Sequence, residues 1–233
     1  MTPQVMRAKR NSSGGRIAAH AMGNLLLGMA LGLAVYYGLT DVSARLGQAI
    51  LRGRLPAAGA ELPPTFVESD DDLDMSEWEA QDGAYWDNLA DGDVFGRLVI
   101  NRIGLDVMVV KGHSREALKD GPGWIDYTDP PGQTGNVGIA GHRTTYGAPF
   151  RRLDELKLGD TIDLYSPFRR YRYAVSESKR VTPDRVDVMD STVDPRLTLS
   201  ACDPPYSARF RLIVTGSLVD VSVMATATEE VTD

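Results

Sequence analysis

Residues Leu197 to Val214 read LTLSACDPPYSARFRLIV. Leu197 to Ala201 is a strand-like run, Pro204-Pro205 breaks it, and the run from Phe210 is again apolar and branched, so the stretch predicts two strands joined by a proline turn. The single cysteine of the 233-residue chain, Cys202, stands where the first strand gives way to the turn, and Arg209 and Arg211 open the second strand. A thiol at a strand end close to guanidinium groups is a setting that favours a reactive thiolate. A lone cysteine is also a good small core residue, so the rest of the chain must decide between the two.

Upstream, short β-rich runs alternate with turns. Leu98 to Ile100, Leu105 to Val110, Val137 to Ala140, Thr161 to Tyr165 and Tyr171 to Val175 read as strands. Ser114 caps a helical turn through Lys119, and Thr182-Pro183-Asp184 opens another. Tyr146 to Lys157 places Phe150, Leu153 and Leu156 at helical spacing and predicts a short amphipathic helix. Seven or eight short strands with small helices predict a closed or nearly closed β-barrel of about 130 residues.

The N-terminal part has a different texture. Residues 1–20 carry Arg7, Lys9, Arg10 and Arg16 and no acid, a basic arm; residues 21–40 are uncharged and enclose MGNLLLGMALGLAVYYGL. A helix needs about 20 mostly apolar residues to span a bilayer, and positive charge before the run sets the N-terminus in the cytoplasm. The expectation is a single-pass signal anchor. Two other readings stay open: a cleaved secretory signal ending at Val42-Ser43-Ala44, and a buried core helix. Residues 41–93 read as an acidic extracytoplasmic linker, because residues 61–96 hold twelve Asp and Glu and no Lys or Arg. Within it Trp78, Tyr85 and Trp86 are large aromatics suited to docking on the following domain. The net charge of −7 is therefore local, and no basic stripe suggests nucleic acid. One cysteine excludes an internal disulfide, and three histidines with one cysteine exclude a Cys/His metal cluster. The acidic run Glu68 to Asp74 lacks the glycine and terminal glutamate of a calcium loop. No metal and no cofactor are assigned.

His142, Cys202 and Arg211 all fall at or beside predicted strand ends. A cysteine nucleophile needs a neighbouring imidazole or cation, and attack on an amide builds oxyanion charge that a guanidinium or backbone amides stabilise. One thiol, one imidazole and one guanidinium suffice for acyl transfer through a thioester.

Those residues also carry a resemblance. GIAGHRTTYGAPF over Gly138 to Phe150, TLSAC over Thr198 to Cys202 and RLIV over Arg211 to Val214 resemble the sortase family, most of all its actinobacterial class E branch, over residues 94–222. The resemblance implies a closed eight-stranded barrel catalytic domain, with 223–233 as a C-terminal tail. It implies a cysteine transpeptidase, tethered by one N-terminal helix to the outer face of a Gram-positive cell membrane. Such an enzyme cleaves an L-P-x-T-G or L-A-x-T-G sorting signal of a secreted protein between Thr and Gly and passes it to an amine of a peptidoglycan precursor or a pilin lysine. By motif match Cys202 is the nucleophile, His142 the acid/base and Arg211 the oxyanion and sorting-signal residue. Thr198, Ala201, Ile125 and Tyr127 fall at substrate-binding positions. Two features depart from the family pattern. Ala201 replaces the threonine common before the cysteine, and GPGWIDYT from Gly121 to Thr128 puts Ile125 where class E enzymes carry a tyrosine, with Tyr127 two positions on. The competing readings are an L,D-transpeptidase-like enzyme, whose S-x-G-C-x-R context Ser200 to Asp203 does not supply, and an inactive sortase-like assembly or binding module.

Overall fold

In the predicted hairpin, Leu197, Leu199 and Ala201 alternate with Thr198, Ser200 and Cys202, so that one face of the first strand is apolar and the other polar. A computed structural model of the chain, which describes residues 13–55, 82–132 and 134–224, turns the apolar face inward. The described residues fall into two units that divide between Leu39 and Thr40.

Eight strands close into a barrel. They are β1 (Val94–Ile100), β2 (Leu105–Lys111), β3 (Gly123–Trp124), β4 (Asn136–Gly141), β5 (Thr161–Tyr165), β6 (Arg169–Val181), β7 (Arg196–Asp203) and β8 (Phe210–Val223), in the order β1-β2-β3-β4-β7-β8-β6-β5. The β1–β5 pairing closes the ring. The β2–β3 and β4–β7 pairs are parallel and the others antiparallel. Leu98, Val137, Ile139, Ile162, Tyr171, Tyr173, Leu197, Leu199 and Val214 fill the interior.

The segment Tyr146 to Lys157, expected as an amphipathic helix, is a series of turns with one 3-10 turn at Leu153–Glu155. Tyr146, Gly147 and Ala148 adopt φ values of 52°, 73° and 44°, which a right-handed helix excludes. The apolar spacing serves a different end: Phe150, Leu153 and Leu156 plug the barrel. Gly141 makes this possible, since a Cβ there would lie 2.5 Å from the Phe150 ring.

Parts of the segment 41–93 also pack on the barrel. Helix α1 (Ser13–Arg52) continues past Thr40, and Leu51 and Leu55 join Val94, Met108 and Val110. Gln48 acts as a surrogate strand residue: its amide donates to Met108 O at 3.0 Å and accepts from Met108 N–H at 2.7 Å. β3 is two residues long and pairs with Val110 and Lys111, so Met108 would otherwise present an open edge. Residues 82–87 are helical. Trp86 stacks on Phe95 with centroids 5.5 Å apart and donates to Phe95 O at 3.1 Å. Asp82, fully buried, accepts from Tyr171 and from Arg169 at 3.1 Å. Tyr85 donates to Val94 O, and burial pushes its phenol up to about 12. Trp78 and the acidic run Glu68 to Asp74 lie outside the described residues. The unit that ends at Leu39 contributes the first part of α1, one helix long and apolar enough to cross a membrane, with a mean hydropathy of 1.6 over its best window.

Candidate active site

The β7–β8 register sets Cys202 directly opposite Arg211 and Ala201 opposite Leu212. Opposed residues on an antiparallel pair share a face. Ala201 and Leu212 belong to the barrel core, so Cys202 and Arg211 face outward. On the other side of β7, the parallel β4 aligns Gly141 with Ala201. Val137, Ile139 and Gly141 form the inward set of β4, and alternation brings the next residue, His142, outward beside Cys202. Three neighbouring strands thus deliver imidazole, thiol and guanidinium to one patch of the barrel exterior.

Each side chain has a defined setting. Cys202 is half-buried with a free thiol. His142 is half-buried, and desolvation holds its imidazole below the usual 6.5, favouring the neutral ring. Its carbonyl accepts from Phe150 N–H at 3.0 Å, and the Tyr146 ring lies 5.2 Å from its own. Gly147 N–H donates to Asp41 at 3.1 Å, which ties the turn after His142 to α1. Arg211 Nη1 donates to Ala208 O and Phe210 O, both at 3.2 Å, which holds the guanidinium near the β7–β8 turn. Arg209 is exposed and lies over the Phe210 ring at 5.2 Å, outside the ladder.

The expected substrate contacts scatter. Ile125 packs with Met189 and Ile213, beside Ala140, Val181 and Val188, forming an apolar patch on the same outer face as Cys202. Tyr127 is 64% exposed with its ring edge-on to His113. Ala201 lies inside the barrel, because alternation sends it opposite to Cys202. Thr198 is covered, and its hydroxyl donates to Asn136 Oδ1 at 2.7 Å. Neither of these two side chains is open to a ligand on the outer face. A cavity of about 530 Å³ lies between Asp41 to Arg52 and the barrel; Tyr146 borders it, but His142, Cys202 and Arg211 do not. Among the described residues no group of three or more His, Cys, Asp or Glu is arranged to hold a metal ion.

A feature that motif reading missed sits directly behind the patch. Arg143 and Asp203, the residues after His142 and Cys202, are each 4% exposed and bind one another; Arg180 of β6 takes the second Asp203 oxygen, and Asp154 pairs with Arg143 at 2.8 Å. The available signal was alternation itself, which points both Arg143 and Asp203 inward and demands that each find a partner.

Chemically, the patch can form and release an acyl-thiol. A thiol can serve as a nucleophile, a neutral imidazole can take and return a proton, and a guanidinium can meet oxyanion charge.

Comparison with known proteins agrees with this architecture. A sortase domain family model matches residues 98–219. Sortase SrtE2 of Streptomyces coelicolor is 30% identical over 230 residues, covering 88% of this chain and 85% of the relative. Sortase SrtE1 of the same organism is 29% identical over 145 residues, covering 55% of this chain and 41% of that protein's length. The crystal structure of sortase E1 from Streptomyces coelicolor, with a tripeptide in its active site, superposes with a TM-score of 0.54 at 27% identity, covering 57% of this chain and 91% of that one. With an eight-stranded barrel, the family match over more than half its length and its likeness to the E-type relatives, the chain belongs to the sortase family of cysteine transpeptidases.

Proposed function

We propose that this chain is a membrane-anchored transpeptidase that cleaves an L-P-x-T-G or L-A-x-T-G sorting signal between Thr and Gly and transfers the new acyl end to an amine. The observation that carries the reading is the convergence of His142, Cys202 and Arg211 on one outer patch through the β4–β7–β8 registers. Cys202 passes its thiol proton to His142 and attacks the Thr carbonyl carbon, Arg211 holds the oxyanion, and His142 gives that proton to the departing Gly amine as the C–N bond breaks. The Cys202 thioester then accepts an amine from a peptidoglycan precursor or a pilin lysine. That amine loses a proton to His142, and the thiol is released. The patch of Ile125, Met189 and Ile213 suits the apolar side chains that precede the Thr. The apolar start of α1 supports a single-pass anchor with residues 1–20 cytoplasmic and the barrel outside.

The test is incubation of the purified full chain with peptides bearing each motif and a glycine-based amine acceptor, followed by mass spectrometry. Cleavage at Thr–Gly together with a transfer product is expected, and both should vanish in Cys202→Ala. Absence of both products with either peptide defeats the reading.

A further inference from the structure

We propose that Arg143, Asp203 and Arg180 form a positioning triad that holds His142 against Cys202, an inference that rests on the assignment of these two as the catalytic pair. The parallel β4–β7 ladder ends at Gly141↔Ala201. His142 lies just past the end of β4 and Cys202 follows Ala201 within β7, so no β4–β7 ladder pair joins them. What joins the two strands beyond that point is the ion pair of the residues after them, Arg143 to Asp203. Arg180 binds the other Asp203 oxygen, and it stands one position before Val181, the ladder partner of Arg211. A member of the triad therefore lies one residue from His142, one from Cys202 and one from the strand position facing Arg211.

The physical setting favours a geometric effect over a stabilising one. Arg143 and Asp203 are almost fully buried, and buried ion pairs contribute little net stability because desolvation offsets their attraction. They nevertheless fix geometry tightly, since a buried charge shifted from its partner is costly. Arg143 is held from two further sides, by Asp154 at 2.8 Å and Arg151 O at 3.5 Å, which anchors the turn that follows His142. These three residues touch neither substrate nor the reacting atoms; they act through the strands that carry the reacting groups.

The test uses the full chain in detergent and reads two quantities in Asp203→Asn, Arg180→Gln and the double variant Arg143→Gln/Asp203→Asn. One is steady-state transfer from sorting-signal peptides. The other is the pH profile of Cys202 alkylation by iodoacetamide, which reports the thiol–imidazole pairing without turnover, with His142→Ala as the reference for its loss. In folded Asp203→Asn, kcat should fall by about 10-fold or more while KM stays within about twofold. Its alkylation profile should move to that of His142→Ala, and the double variant, in which the Arg143–Asp203 ion pair cannot form, should show the same displaced profile and the same loss of turnover. Should Asp203→Asn not fold, Arg180→Gln decides through the same profile, because its side chain is 58% exposed. Wild-type alkylation profiles and kcat within about twofold in the folded variants, with any loss confined to melting temperature, overturn the proposal. If the wild type transfers no peptide yet the alkylation profile still moves as stated, the proposed reaction fails and the positioning role stands.

Discussion

At the residue scale the chemistry divides into what a motif can display and what burial decides. Cys202, His142 and Arg211 were legible because each carries a reactive group at a strand end, and strand alternation then fixed their common face. Ala201 and Thr198 were read as substrate contacts from their place in the motif. The same alternation sends Ala201 into the core, and a buried hydrogen bond engages Thr198. The neutral bias of His142 was not legible, because desolvation depends on Tyr146 and the turn around it. It has a kinetic consequence. Since burial lowers the imidazole pKa, the acid limb of kcat/KM should lie below pH 6.5; a limb at or above that value contradicts the assignment. The same shift bears on stability. Below the ordinary imidazole value the unfolded chain binds a proton that the folded one resists, so the melting temperature should fall as pH drops through and below 6.5. That added slope should be absent in His142→Ala.

At the element scale the strands were predicted from pattern and Tyr85 and Trp86 were expected to dock, while the segment after His142 was read as a helix and is a series of turns. The spacing of Phe150, Leu153 and Leu156 suggested a helix, since three apolar residues at such intervals satisfy a helical stripe and a barrel plug alike; the left-handed turn at Tyr146 to Ala148 separates the two. The plug depends on Gly141. Gly141→Ala drives a Cβ into the buried Phe150 ring, and such overpacking costs about 1–3 kcal/mol. Lower thermal stability is expected together with reduced turnover, because His142 is the adjacent residue. The strap at 82–87 supplies a second case. Composition marked this region as acidic linker, but the size of Trp86 suited it to docking, and it is 3% exposed and stacks into the core. Trp86→Ala should destabilise the barrel by about 3–5 kcal/mol, as read by chemical denaturation. A linker tryptophan free in water would give a change near zero.

At the scale of the whole molecule, a closed barrel is the device that brings His142 and Cys202, sixty residues apart, side by side, and no local periodicity encodes that parallel β4–β7 pairing. The family resemblance anticipated that these two residues meet; the register explains how. The proposed orientation of the chain is testable through its one thiol. A membrane-impermeant maleimide should label Cys202 in intact cells, and labelling that requires lysis reverses the topology. The most direct test of the account as a whole is capture of the acyl-enzyme. The full chain, mixed with a sorting-signal peptide and quenched in acid, should gain the mass of the peptide through its Thr on Cys202, and hydroxylamine should discharge it. A chain that remains unmodified with both L-P-x-T-G and L-A-x-T-G peptides, or a Cys202→Ala variant that acquires the same adduct, would contradict the account.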